Sequence, residues 1–225
     1  MIKNRIKTLR EKFKHFDIDG YIVPKNDEFF SEYAENDRLK NISNFTGSAG
    51  LAIILKKKNY LFVDGRYTIQ AQNESSKNFK IIEIHKKLPH TIIKDCKLGF
   101  DPNLFTSKKL KYYFSKNNKL ISINNNLIDK IFKNTLVLKK PFFSLHKKIA
   151  GESHESKIQK IINFLAFNKT DYLFISAPEN VAWLLNIRGH DNPTSPIPNS
   201  RLIIGKDKQL LLFTKKNNIK KIITE

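Results

Sequence analysis

Apolar residues recur at helical spacing from the start of the chain. Ile2, Ile6, Leu9, Phe13 and Phe16 alternate with Lys and Arg, which predicts an amphipathic first helix with one face in a core. Asp19-Gly20 then turns into Tyr21-Ile22-Val23-Pro24, an apolar run closed by proline that reads as a buried strand. Asn26-Asp27 predicts the cap of a second helix with its body over 28–34. Leu51 to Leu55 and Tyr60 to Val63 are β-rich runs joined by Lys56-Lys57-Lys58-Asn59, the pattern of a hairpin with a polar tip. Arg66 to Ser76 and Ser107 to Ser115 carry helix patterns, and Phe79 to Ile84, Lys97 to Phe100 and Leu120 to Ile123 read as strands. Helices threaded between strands indicate an α/β fold, and the hairpin makes its sheet mixed rather than wholly parallel.

The periodicity fades between Lys139 and Glu152, where Pro141 and Gly151 fall. Residues 1–140 are therefore read as a first module, 141–152 as a linker, and 153–225 as a second module. In the second module a helix spans Glu155 to Phe167, Tyr172 to Ile175 forms a strand, and Pro178 opens a helix through Leu185. Leu202-Ile203-Ile204 and Leu210 to Phe213 form another hairpin. This order repeats that of the first half. Asp19 to Pro24 answers to Asp171 to Ser176, and Leu51 to Val63 answers to Leu202 to Phe213, as two copies of one α/β unit would. The second copy is expected to be incomplete, because the first needs a further helix and several strands beyond its hairpin to finish its sheet.

With 225 residues and 40% hydrophobic content the chain can bury a proper core. Its formal charge of +20 raises the question of nucleic acid. That charge is nearly all dispersed lysine, and arginine, the bidentate reader of bases, occurs only as Arg5, Arg10, Arg38, Arg66, Arg188 and Arg201. A solvated lysine-rich surface accounts for it, so nucleic acid is not expected as a partner. A single cysteine, Cys96, excludes an internal disulfide and fits a cytoplasmic setting. No apolar run approaches the length of a membrane span, so no membrane is expected either.

Asn44-Phe45-Thr46-Gly47-Ser48-Ala49-Gly50 has the glycines of a phosphate cradle but leads into a strand rather than a helix. It reads as a tight turn whose glycines supply positive φ or close backbone approach. In Asp64-Gly65-Arg66-Tyr67, Arg66 stands at the mouth of a strand, where its planar fork either pairs locally with Asp64 or meets a carboxylate or peptide carbonyl. Trp183 reads as a core anchor on an apolar helix face. Arg188, His190 and Asp191 follow it on a loop and are candidates for a cleft or interface. His15, His85, His90, His146, His154 and His190 do not cluster with carboxylates at ligand spacing, so no metal site is expected in these residues. Cys96, without a base near it in sequence, is expected to be a small buried hydrophobe.

Ser31-Glu32-Tyr33, Asn44 to Gly50, Asp64-Gly65-Arg66-Tyr67, Asn126 to Phe132 and Ala182 to Gly189, taken in this order, resemble the three-domain Xaa-Pro aminopeptidases, also called aminopeptidase P. Asn44 stands where a glycine is commoner in that family. The resemblance implies two creatinase-type N-terminal modules. In that family a catalytic domain of pita-bread fold follows, with two metal ions, usually manganese, that activate a hydroxide to remove the residue preceding proline. None of those ligand segments is in this chain. The resemblance further implies that Arg66 contacts the peptide substrate, that the modules narrow access to the active site, and that they help to assemble homodimers. A stand-alone interaction module is the alternative, and a basic nucleic-acid binder a third reading.

Overall fold

The computed structural model describes residues 1–31, 36–114, 117–132, 141–192, 194–215 and 219. The chain divides into two compact units, Met1–Thr135 and Leu136–Glu225.

In the first unit the chain runs α1 (Ile2–Glu11), β1 (Gly20–Pro24), α2 (Arg38–Ser43), β2 (Gly50–Leu55), β3 (Asn59–Val63), α3 (Thr68–Ser75), β4 (Lys80–Glu83), α4 (Pro89–Ile92), β5 (Cys96–Phe100), α5 (Ser107–Phe114), β6 (Asn118–Ser122) and α6 (Leu127–Ile131). Among the described residues these strands form one sheet of order β4-β3-β2-β1-β5-β6. β2 lies antiparallel between β1 and β3, and the outer pairings β3–β4, β1–β5 and β5–β6 are parallel. The sheet is thus mixed, as the hairpin implied.

Both faces of this sheet are buried, and alternation along each strand divides its side chains between two cores. Tyr21, Val23, Ala52, Ile54, Leu61 and Val63 pack under α1, α2 and α6. Ile22, Leu51, Ile53, Tyr60 and Phe62 pack on the other face with Leu104, Phe105 and Phe114. Two covered faces explain why these strands read as continuous apolar runs.

The second unit runs β7 (Phe143–Ser144), α7 (Lys147–Ala150), α8 (His154–Phe167), β8 (Tyr172–Ile175), α9 (Pro178–Leu185), β9 (Ile187–Arg188), β10 (Arg201–Gly205) and β11 (Leu210–Phe213). Its main sheet has the order β11-β10-β8, both pairings antiparallel, which reproduces β3-β2-β1.

The repeat extends to individual hydrogen bonds. The Asp19 carbonyl accepts from the Lys56 N–H at 3.1 Å, and the Asp171 carbonyl from the Lys206 N–H at 2.9 Å. The same two pairs are closed by ammonium–carboxylate contacts. Arg5 of α1 donates to the Asn41 carbonyl in the last turn of α2 at 2.6 Å. Lys157 of α8 donates to the Trp183 carbonyl in the last turn of α9, also at 2.6 Å. Both α2 and α9 end on a left-handed asparagine, Asn44 (φ 69) and Asn186 (φ 54). This conformation is the reason glycine suits position 44, and asparagine is the other residue that tolerates it.

Four local expectations change. The helix expected over 28–34 does not form across its described part: residues 28–31 are turn and loop, and 32–34 lie outside the described residues. Instead of capping a helix, the Asp27 carboxylate accepts the Phe29 and Ser31 N–H groups and closes a turn on itself. The stretch read as a linker carries β7 and α7, and β7 pairs with β9. Gly47 and Gly50 are not at positive φ; they are needed for close approach, since a Cβ on either would meet the buried Phe45 ring at 2.3 Å and 2.9 Å. Cys96 is half-buried rather than fully so, and burial pushes its thiol pKa up.

Of the segments read above, Glu32-Tyr33, Ser115 and Lys139 lie outside the described residues.

Candidate functional site

Because β1, β3, β4, β5 and β6 all point the same way, their carboxyl ends line one edge of the first sheet. Ligands of open α/β sheets bind at that edge. A cleft of about 390 Å³ opens there. Its floor is formed where β1 ends at Pro24-Lys25-Asn26, β3 at Val63-Asp64 and β4 at Ile84-His85, with the start of β2 between them.

The sequence places charge at these strand ends, and the fold then pairs most of it. Lys25, nearly buried, contacts the Asp37 carboxylate, which also caps α2 by accepting the Lys40 N–H. Asp64 caps the turn after β3: its Oδ1 accepts from the Arg66 N–H at 3.0 Å and from Arg66 Nε at 2.8 Å. Hydrogen bonds from Arg66 hold the Asp64 carboxyl down at about 2, well below its ordinary 3.8. His85 Nε2 stands 3.6 Å from Asp64 Oδ2. The exposed Arg66 guanidinium also lies over the Tyr67 ring, 5.4 Å from its centroid.

Behind the cleft, Arg38 is 6% exposed and holds Asp129 with a bidentate fork, Nε to Oδ1 and Nη2 to Oδ2, both at 2.8 Å. Its Nη2 also reaches Glu28 at 2.6 Å. Burial alone would lower the Arg38 pKa, but the hydrogen bonds it donates to Asp129 and Glu28 outweigh it and the net shift is upward. This node ties the loop after β1 to α2 and α6.

Of the residues singled out in the sequence, Arg66 belongs to the first unit, and Arg188, His190 and Asp191 to the second. Arg188 Nη1 donates to the carbonyls of Ala182 and Ile187 and so closes the end of α9. Asp191 is buried and accepts the Asn199 N–H at 2.7 Å, organising its loop. His190 is exposed and packs against Phe143, ring centroids 5.6 Å apart. Trp183 is not a core anchor: it is 59% exposed and covers the buried Lys157 ammonium, 4.4 Å from the ring centroid.

Sequence reasoning missed Phe30, Lys109 and Tyr113 on the cleft walls. Lys25 and His85 could have been found, since each directly follows a strand; Lys109 and Tyr113 sit on α5 and carry no such signal. Among the described residues no three His, Cys, Asp or Glu side chains converge in a way that could hold a metal ion. The donors of the described residues do not fit a di-metal centre. No helix among the described residues is long and apolar enough to cross a membrane.

A mixed sheet layered between helices, begun again in the second unit with the same strand order and the same capping bonds, defines a tandem α/β module with a cleft at its carboxyl edge. Residues 5–131 and 133–225 each match a family model described as Creatinase/Prolidase N-terminal domain. The chain belongs to the creatinase/prolidase N-terminal domain family. It is similar to a probable Xaa-Pro aminopeptidase P of Laccaria bicolor, 32% identical over 93% of this chain and 35% of that protein. It is also similar to Xaa-Pro aminopeptidase 2 of Rattus norvegicus, 31% identical over 95% of this chain and 34% of that protein. Among solved structures, the X-prolyl aminopeptidase of Caenorhabditis elegans, a cytosolic enzyme with a di-nuclear active site, superposes with a TM-score of 0.85 and 26% identity, over 99% of this chain and 40% of that one. The chain spans about a third of the length of the curated relatives it matches.

Proposed function

We propose that this chain is the N-terminal, non-catalytic part of a Xaa-Pro aminopeptidase, in which it shapes the entry of peptides with proline at the second position. The observation that carries this reading is the match itself: nearly the whole chain aligns with about a third of each relative, over creatinase/prolidase N-terminal domains. Cleavage, with two manganese ions, is assigned to a catalytic domain outside these residues. Residues 1–140 and 153–225 are proposed as its first and second N-terminal domains, and the assembly as a cytoplasmic homodimer.

Within this reading Arg66 contacts the peptide. Its guanidinium is exposed at the carboxyl edge and held at one end by Asp64, which leaves the planar fork fixed in orientation. Arg188, His190 and Asp191 are proposed to line an interface or cleft, with His190 the member whose ring is exposed.

In the longer enzyme carrying this chain, Arg66→Ala is expected to lower kcat/KM for Xaa-Pro peptides by about tenfold or more, the worth of one charge-assisted hydrogen bond, with the fold intact. Unchanged kinetics would reduce Arg66 to a turn residue. The 225-residue chain alone should release no residue from such peptides when manganese is supplied; cleavage by it would overturn the non-catalytic assignment.

A further inference from the structure

The carboxyl-edge cleft holds more polar chemistry than its own ion pairs consume. Lys25 is taken up by Asp37, and Asp64 by Arg66 and His85. Lys109 remains. It lines the cleft from α5, and its ammonium has no ion pair or hydrogen bond among the described residues. Although the side chain is exposed, the protein around it desolvates the ammonium and lowers its pKa. Tyr113, four residues further on, shares that face of α5 and also lines the cleft, and its hydroxyl is likewise without a partner among the described residues.

Part of the lining is an apolar wall built from Leu51, Phe62, Ile84 and Phe30. Phe30 is the unusual member. It is half-exposed, and its φ of 61° is one that a bulky side chain rarely adopts, at a cost of about 1–3 kcal/mol. The Asp27 turn enforces it: the Asp27 carbonyl accepts the Phe30 N–H, and the Asp27 N–H donates to the Ser31 carbonyl. Strain of this kind collects where a side chain is being aimed at something.

We propose that this cleft binds a small carboxylate bearing an apolar or aromatic group. The carboxylate meets the Lys109 ammonium and the Tyr113 hydroxyl, and the apolar group lies against Phe30 and the Leu51, Phe62, Ile84 wall. The Asp64 charge does not oppose this, since Arg66 neutralises it in place. A cationic ligand would meet Lys109 instead. The volume of about 390 Å³ lies in the range of small-molecule sites. The proposal rests on the first unit alone and does not depend on the peptidase reading.

The test is calorimetric titration of the 225-residue chain with N-acetylphenylalanine, its neutral amide, and the tripeptide Gly-Gly-Phe, with amide shifts followed by NMR. Saturable binding is expected for a carboxylate, with shifts at Phe30, His85 and Tyr113 and about tenfold weaker binding of the amide. Lys109→Met should weaken binding about tenfold, and Tyr113→Phe severalfold, without changing the melting temperature. Binding of the acetylated amino acid but not the tripeptide marks the ligand as a free small acid; the reverse marks it as a peptide C-terminus. Equal affinity for acid and amide, unchanged affinity in Lys109→Met, or no saturable binding of either carboxylate would overturn the proposal.

Discussion

At the scale of single residues the fold is fastened by charges placed at helix and strand ends. Lys157 is the clearest case: 3% exposed, its ammonium donates to the Trp183 carbonyl and to Asn186 Oδ1, both at 2.6 Å, under the Trp183 ring. Removing it takes the donor from two acceptors at the end of α9, of which Asn186 Oδ1 is buried. Lys157→Leu is therefore expected to cost about 1–3 kcal/mol in urea unfolding, with Lys157→Arg recovering part of the loss because it still supplies donors. An unaltered midpoint in Lys157→Leu would show that water satisfies those acceptors. Asp64 gives a pH signature instead. Its folded-state pKa of about 2 lies below the ordinary 3.8, so its contribution is complete above about 4 and is lost as pH falls toward 2. A carboxyl titration by NMR should place its midpoint near 2, rising toward 3.8 in Arg66→Ala; a midpoint that stays put would mean the Arg66 hydrogen bonds are not its cause.

At the scale of elements, the strands were legible because burial on both faces demands unbroken apolar runs, as in Tyr21-Ile22-Val23 and Tyr60-Leu61-Phe62-Val63. Arg66 was legible as a candidate for the same reason, since a strand end with Asp-Gly after it announces a turn at the sheet edge. The cleft wall supplied by α5 was not legible. Lys109 and Tyr113 meet the strand ends only through the crossover of α5, a long-range placement that local pattern does not encode. The loop after β1 misled because Asp27 suits both a helix cap and a self-closing turn, and only tertiary context selects between them. The glycine loop was read as a tight turn needing positive φ and close backbone approach; the close approach is present, whereas Gly47 and Gly50 are not at positive φ. Its constraint is steric, and it predicts a substitution effect. A Cβ at Gly47 would sit 2.3 Å from Phe45 Cζ, and Phe45 is itself fully buried, close against Gly50 and edge-on to Tyr67. The ring has nowhere to retreat, so Gly47→Ala should lower stability by about 1–3 kcal/mol in chemical unfolding. Tolerance of alanine there would show that the loop backbone yields instead.

At the scale of the molecule, duplication produces two units that are not equally protected. Ile22, Ile53, Tyr60 and Phe62 are buried in the first sheet against Leu104, Phe105 and Phe114. By register their counterparts are Phe174, Ile203, Leu211 and Phe213, and of these Phe174 is 57% and Phe213 52% exposed. Among the described residues, it is the opposite face of the second sheet, with Leu173, Ile175, Leu202 and Ile204, that packs into a core under α8 and α9. Apolar burial sets how much free energy opposes local opening, so a sheet covered on one face should open more readily than one covered on both. Native-state hydrogen exchange of the 225-residue chain is expected to show the amides of β1 and β2 exchanging only by the largest openings. Those of β8 and β10 should exchange through a smaller opening, at rates faster by about tenfold or more, since even about 1.4 kcal/mol separates two openings by that factor. Phe174→Ser should leave the slow amides of β1 unchanged, because its ring is already half in water. Equal protection across β1, β2, β8 and β10 would mean that the exposed face of the second sheet is covered in solution and that the two units open as one.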